Sequence, residues 1–159
     1  MSADDTYPTL LASDVMSDDV ALCPWSATAR DAALLMRERD CGSVPVVDAR
    51  GRAIGMVTDR DLCLAALDHD ARLEEIPVAK IITRAPVTCA PDAPLETIER
   101  MMSKHRVRRV AVVGADETIV GMVSLADIIR ARSAQPRFLA VEVVSTLAQI
   151  ARADDSAVG

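Results

Sequence analysis

The sequence predicts a mixed α/β (α+β) fold of two similar β-α-β-β-α units that pack with pseudo-two-fold symmetry, followed by a C-terminal helix. The first reason is an internal repeat: the segment Gly55–Asp61 returns without a gap, 66 residues later, as Gly121–Asp127. The second reason is that each copy follows an aliphatic β-branched run, at 44–47 and at 110–113. Such a repeat is typical of units that bury their apolar faces against each other. We call two residues that are 66 positions apart mates.

The elements of the first unit follow from its periodicity. Residues 28–39 carry apolar side chains at spacings of three and four, which predicts an amphipathic helix. The β-branched run 44–47 and the segment 53–57 predict a hairpin around the turn at 48–52. Residues 58–67 then predict a second helix.

The second unit repeats this order, with predicted helices at 95–104 and 124–132 and predicted strands at 110–113 and 119–123. Neither unit, at about 55 residues, is expected to be comfortably stable alone, so the two must pack together.

The predicted domain boundaries are a loose N-terminal arm at 1–12, the first unit at 13–70, the second unit at 71–132 and the C-terminal helix within 136–152. The helix is predicted because its apolar residues fall on one stripe, namely Leu139, Val143, Leu147 and Ile150. This stripe must cover either a flank of the pair or a second copy of the chain.

Composition and charge argue against several classes of partner. The formal net charge is −6, and the aromatic residues are only Tyr7, Trp25 and Phe138, which disfavours nucleic-acid binding. No apolar run approaches the roughly 18 to 20 residues of a membrane span. The acidic start lacks the layout of a secretory signal, so we expect a cytoplasmic protein with reduced cysteines.

The repeated motif allows two interpretations. Thr58 with Asp61, and Ser124 with Asp127, match the capping box, in which each side chain satisfies a backbone N–H at the start of a helix. A hydroxyl and a carboxylate at a strand-to-helix junction also suit a ribose and a phosphate, because a helix N-terminus attracts anions. A glycine precedes both pairs at the same offset and permits a close approach to the backbone.

The doubled G-h-x-[T/S]-x-x-D pattern, in its β-α-β-β-α context, resembles the cystathionine β-synthase (CBS) domain family. Two such units resemble a Bateman module, which here covers about residues 13–131. The resemblance implies two pseudo-symmetric clefts that bind AMP, ADP, ATP, NAD or S-adenosylmethionine. It further implies a non-catalytic regulatory protein of the small stand-alone bacterial type. Such a protein acts in signal transduction as a homodimer, with an unidentified protein partner and no required cofactor beyond the bound nucleotide.

Specific residues follow from this resemblance. It implies that Thr58 and Asp61 hold the ribose in one cleft, and that Ser124 and Asp127 hold it in the other. The base pockets would be lined by Met16, Ala21, Cys41, Gly42, Ser43, Ile82, Val87 and Val107.

The two clefts are expected to be unequal in charge. The resemblance implies that Arg108 and Arg109 reach the ligand phosphates, whereas their mates Gly42 and Ser43 are uncharged. We therefore expect the Ser124/Asp127 cleft to hold phosphate more strongly, since arginine forms paired charge-assisted bonds. The alternative is that the basic segment 104–109 is only the solvated end of a helix, where cations interact favourably with the C-terminal dipole.

Two other functions stay open. One is a structural or partner-binding module with vestigial clefts. The other is a metal- or redox-responsive protein that uses Cys23, Cys89, His69 and His105. No close ligand pair of the kind found in structural zinc sites occurs, so no metal site is assigned. No nucleophile–base pair can be named, so no catalytic residue is assigned and an enzyme is not expected.

Overall fold

The structure is a computed structural model that describes residues 9–82, 84–134, 144–145 and 148. Within these residues it contains two three-stranded sheets and five helices, which confirms the predicted fold class. The predicted C-terminal helix lies outside the described residues, apart from Val144, Ser145 and Ala148, which are helical.

The first half of the chain contains the first sheet. Its elements are α1 (Ala12–Val15), β1 (Cys23–Pro24), α2 (Ala29–Glu38), β2 (Ser43–Val47), β3 (Ala53–Thr58) and α3 (Asp59–His69). Two short 3-10 turns follow, at Leu73–Glu75 and Val78–Lys80.

The second half repeats the pattern. Its elements are β4 (Thr88–Cys89), α4 (Leu95–His105), β5 (Arg109–Val113), β6 (Ile119–Ser124) and α5 (Leu125–Ser133). The eight helices and strands predicted with bounds inside the two units are all present, and their ends shift by no more than two residues. The short helix α1 was not predicted.

Both sheets have the same topology. The order is β1-β2-β3 in one and β4-β5-β6 in the other, with a parallel first pair and an antiparallel hairpin. On the middle strands, Val44 and Val46 belong to the first core, and Val110 and Val112 belong to the second. Ala111 between them is also fully buried. The middle strands are therefore covered on both faces, which explains their continuous apolar runs.

The segment that precedes each unit packs on the other unit. The backbone N–H of Leu95 donates to the carbonyl of Leu10 at 2.8 Å, and Ala12 is fully buried in the second core. The mate of this contact is present too, because the N–H of Ala29 donates to the carbonyl of Ile76 at 2.8 Å. We call this arrangement the reciprocal exchange.

The reciprocal exchange changes the predicted boundaries. Ala12, which the sequence placed in the loose arm, is buried, and residues 10–16 pack on the second unit rather than the first. Residues 71–82, which the sequence placed in the second unit, pack on the first. The pattern of the repeat could not show this, because it compares each unit with its mate and contains no information on which copy a segment contacts.

Contacts between mates mark the pseudo-two-fold axis. Arg52 bridges to its mate Thr118, so the two hairpin turns meet. At the other end of the hairpins, Nη1 of Arg109 donates to Oγ of its mate Ser43 at 2.5 Å. The axis therefore runs between the two hairpins.

Among the described residues, no helix is both long enough and apolar enough to cross a bilayer.

The glycines of the repeated motif make room for the exchanged segments. A Cβ on Gly55 would stand 3.2 Å from Cβ of Ile82 and would overlap its Cγ2. A Cβ on Gly121 would stand 3.2 Å from Cβ of Met16 and would overlap its sulfur. Ile82 is β-branched and stiff, whereas Met16 has three rotatable bonds and can move aside.

We therefore predict that Gly55→Ala lowers the free energy of unfolding by about 1–3 kcal/mol, the usual cost of overpacking. The matched variant Gly121→Ala should lose clearly less of its free energy of unfolding. Urea denaturation followed by circular dichroism measures both. An equal or smaller loss for Gly55→Ala would contradict the assigned packing of Ile82 on Gly55.

Candidate functional site

The first site candidate is the start of α3, where it leaves β3. Oγ1 of Thr58 donates to Oδ2 of Asp61 at 2.8 Å, and the N–H of Thr58 donates to the same oxygen at 2.9 Å. In return, the N–H of Asp61 donates to Oγ1 of Thr58 at 3.1 Å. Ser43 pairs with Thr58 across the hairpin. We call Ser43, Thr58 and Asp61 the first corner.

The second candidate is the equivalent junction at the start of α5. Oγ of Ser124 donates to Oδ2 of Asp127 at 2.5 Å, and the N–H of Asp127 donates to Oγ of Ser124 at 3.2 Å. Arg109 pairs with Ser124 across its hairpin. We call Arg109, Ser124 and Asp127 the second corner. Both motifs thus form complete capping boxes, as the sequence predicted.

A third capping box lies away from the corners. At the start of α2, Oγ1 of Thr28 donates to Oδ2 of Asp31 at 2.8 Å, and the N–H of Asp31 donates to Oγ1 of Thr28 at 3.2 Å. Hydrogen bonds from the Thr28 backbone and side chain lower the pKa of the Asp31 carboxyl. The mate of Thr28 is Pro94, which begins α4 without a side-chain cap.

The free carboxylate oxygens differ between the corners. In both boxes Oδ2 makes the capping bonds. At the second corner, Oδ1 of Asp127 accepts from Nη2 of Arg130, in a carboxylate that is only 10 % exposed. At the first corner, Oδ1 of Asp61 has no partner among the described residues, and the mate of Arg130 is the apolar Leu64. Oδ1 of Asp61 is therefore available to accept a hydrogen bond from a ligand, whereas Oδ1 of Asp127 already accepts one from Arg130.

The first turns of the two helices differ in charge. The first residue of α3 is Asp59, whose side chain accepts from the N–H of Arg60 at 2.7 Å. With Asp61, two carboxylates thus lie at this helix start. The mate of Asp59 is Leu125, and Asp127 is the only acidic residue in the first turn of α5. An anionic ligand would meet less repulsion at the second corner.

Arg109 belongs to the second corner by its backbone and reaches the first corner with its side chain. Its backbone pairs with Ser124 of the second corner, and its guanidinium contacts Ser43 of the first corner. Arg108 closes the second corner through its backbone, because its carbonyl accepts from the N–H of Leu125 at 2.9 Å. The carbonyl of Gly42 does the same for the N–H of Asp59 at 3.0 Å.

The remaining residues of the predicted base pockets divide between the two units. Ala21, Cys41 and Ile82 pack against the first core. Met16, Val87 and Val107 pack against the second core. The reciprocal exchange therefore brings Ile82 to the first unit and Met16 to the second, an assignment that the sequence left open.

An apolar groove of about 340 Å³ lies along α2 and α3 of the first unit. It is lined by Ala33, Met36, Asp59, Leu62, Cys63, Ala66 and Leu73. Sequence reasoning missed this groove, although the mates of Ala33 and Ala66 are the charged Glu99 and Arg132, which form an ion pair at 3.1 Å. Comparing helix faces between the two copies could have revealed the difference.

The candidate metal ligands are not clustered. Among the described residues, no group of three or more His, Cys, Asp or Glu side chains could hold an ion. Cys23 and Cys89 are buried in different cores. Burial, with a smaller contribution from the charge of Asp31, raises the pKa of Cys23, and burial raises the pKa of Cys89 to about 11.

Comparison with known proteins gives a family match in both halves. The profile of the family described as "CBS domain" matches residues 12–68 and 78–134. The chain is 33% identical over 115 residues to the CBS domain-containing protein YhcV of Bacillus subtilis (strain 168). That alignment covers 72% of this chain and 80% of the relative.

Two solved structures are similar in both sequence and fold. Hypoxic Response Protein I, described with two coordinated zinc ions, is 30% identical with a TM-score of 0.70, covering 76% of this chain and 98% of that one. The CBS domain pair of protein MJ0100, described in complex with 5′-methylthioadenosine and S-adenosyl-L-methionine, is 26% identical. Its TM-score is 0.70, and the match covers 79% of this chain and 98% of that chain.

The cysteines give a prediction that follows from burial. Because a thiolate is the reactive form, the raised pKa of Cys89 leaves only about one thiol in a thousand ionised at pH 8. We expect a disulfide reagent to modify the exposed Cys63 rapidly in the native protein, and to modify Cys23 and Cys89 only as it unfolds. A Cys63→Ser control should lose the rapid phase. Rapid modification of Cys89 in the folded protein would contradict its buried placement.

Proposed function

This chain belongs to the CBS domain family as a tandem pair, and from that premise we propose that it is a non-catalytic regulatory module that binds an adenosine nucleotide at each corner. Binding at a corner would bias the angle between the two units, and that bias would be the signal. The ribose would be held by Thr58 with Asp61 and by Ser124 with Asp127.

One observation carries the proposal: the Thr58/Asp61 box has a mate box in Ser124/Asp127, whereas the Thr28/Asp31 box, away from the corners, has none. The Thr28/Asp31 box of α2 is replaced in its mate by Pro94, and α4 still forms from Leu95 to His105. A cap is therefore dispensable for that helix pair. The boxes of α3 and α5 survive in both copies, which supports a role beyond capping.

The geometry of the carboxylates fits a ribose. Each box uses one oxygen for capping, and a carboxylate has further acceptor sites for the two ribose hydroxyls. Oδ1 of Asp61 is available for this, whereas Asp127 would have to share Oδ1 with Arg130. The two ligands named for the MJ0100 pair both contain adenosine and neither contains a phosphate. They therefore support the ribose and base contacts, and the phosphate contacts rest on the charges of this chain.

Those charges favour a phosphate at the second corner. The start of α5 carries Leu125 where α3 carries Asp59, and the backbone carbonyl of Arg108 accepts from the N–H of Leu125 there. AMP, ADP, ATP and NAD all combine an adenosine with a phosphate, so we propose these as the ligands.

The proposed function also includes partners, cellular location and oligomeric state. The net charge of −6 and the scarcity of aromatic residues support a protein without nucleic-acid partners. We propose a cytoplasmic homodimer that passes its signal to a protein partner. The sequence stripe of Leu139, Val143, Leu147 and Ile150 is the surface that we assign to the contact between copies.

A structural or partner-binding module is the second candidate, and one observation favours it. Within each of the Thr58/Asp61 and Ser124/Asp127 boxes, the hydroxyl and the carboxylate already accept from the backbone N–H groups of the helix start, so capping is a sufficient role for both boxes. In that case the apolar groove along α2 and α3 would be the functional surface.

The nucleotide proposal is tested by titrating AMP, ATP and NAD calorimetrically into the wild type and into Asp61→Ala and Asp127→Ala. We expect at least one nucleotide to bind the wild type, and each variant to weaken binding tenfold or more at its corner, as for a lost hydrogen bond to a charged group of about 1.5–3 kcal/mol.

Asp31→Ala is the matched control, because it removes the same box from α2. All three variants should lose about 0.5–2 kcal/mol of stability through the lost cap, but only the two corner variants should lose nucleotide affinity. If no nucleotide binds the wild type or raises its melting temperature, the second candidate is the correct one.

The dimer is tested by sedimentation at micromolar concentration. We expect a mass of twice 17.0 kDa for the wild type, and a monomer after the double substitution Val143→Asp and Leu147→Asp, which places charge on the stripe. A monomeric wild type would rule out the dimer, and a dimeric variant would rule out the stripe as its contact.

A further inference from the structure

A hydrogen bond between Arg109 and Ser43 joins the two units outside the capping boxes. These two residues are mates, and Nη1 of Arg109 lies 2.5 Å from Oγ of Ser43. A contact between mates must cross the pseudo-two-fold axis. The guanidinium therefore lies at the axis, between the two corners.

The strand registers show how near each corner is. Arg109 stands directly opposite Ser124, and Ser43 stands directly opposite Thr58. Residues paired in this way across an antiparallel hairpin have Cα atoms only about 4.5–5.5 Å apart. The backbone of Arg109 thus begins at the second corner, and its guanidinium ends at the first corner.

Among the described residues, Arg109 is the cation whose side chain makes this contact across the axis. The mate of Arg109 is the uncharged Ser43, and their contact is partly buried. A guanidinium has five N–H donors in a planar fork, so it can grip one phosphate through two parallel bonds. It cannot present the same fork to two phosphates on opposite sides of the axis.

We infer that Arg109 is a specificity-determining residue shared by both corners, which supplies its charge to the phosphate of only one bound nucleotide at a time. This rests on the proposed function, because it requires an adenosine ligand at each corner. Two nucleoside monophosphates then compete for one guanidinium, so the second binds more weakly than it would alone. Two unphosphorylated nucleosides do not compete, and they bind independently.

The test compares AMP with adenosine in three proteins, namely the wild type, Asp61→Ala and Asp127→Ala. Each variant leaves one corner intact, so calorimetry gives the association constant of each corner alone. For AMP, the product of the two wild-type constants should fall about tenfold or more below the product of the two single-corner constants, the ratio that one charge-assisted hydrogen bond supplies. For adenosine, the two products should agree.

We call the shortfall of the wild-type product for AMP the AMP deficit. Arg109→Gln, introduced into the same three proteins, should remove this AMP deficit. Arg100→Gln is the control, because Arg100 is an exposed arginine whose side chain bonds only within α4, to Thr97, and it should leave the deficit unchanged. Equal products for AMP in the wild type, or a deficit that persists in Arg109→Gln, would overturn the shared role.

A second variant guards against a folding defect in Arg109→Gln. Ser43→Ala removes the contact and keeps the charge, so it should retain the AMP deficit. Loss of the deficit in Ser43→Ala would show that coupling runs through the hydrogen bond rather than the shared charge, and would overturn the inference. Failure of the proposed function gives a different result, because the wild type would then bind neither adenosine nor AMP.

Discussion

The reciprocal exchange is the constraint on which the rest of the structure depends. Each unit is completed by the segment that precedes the other, with Ile82 against Gly55 and Met16 against Gly121. A unit on its own would expose the strand surface that these side chains cover, and a domain of about 55 residues has little stability to spare. The pair therefore forms together.

The exchange also bears on the proposed signalling role. The start of each helix is fixed by its capping box, while one wall beside it belongs to a segment that leads into the other unit. In the proposed function, a ligand at a corner would contact both parts and would bias their relative position. A ligand shifts the populations of two arrangements only if it binds one of them more tightly than the other.

Three departures from symmetry lie at the corners, where the charge of the proposed ligand would be. Asp59 and Leu125 are mates at the helix starts, Ser43 and Arg109 are mates at the axis, and Leu64 and Arg130 are mates beside the carboxylates. The strand pairing of the two sheets is the same, and Gly51 and its mate Glu117 both adopt a left-handed conformation, with φ of 78° and 65°. At the corners the two copies therefore share their backbone arrangement and differ in charge.

The sequence by itself determined the elements and the motifs. Local patterns decide these, so the helices and strands predicted within the two units agree with the structure, and the Thr58/Asp61 and Ser124/Asp127 boxes form as expected. Only the tertiary structure decided which unit Met16 and Ile82 complete, and that Arg109 reaches Ser43. The physical reason is that a repeat specifies each copy's local geometry, whereas contacts across the pseudo-two-fold axis depend on how the copies pack. That packing comes from burial shared by residues far apart in the chain, which periodicity does not record.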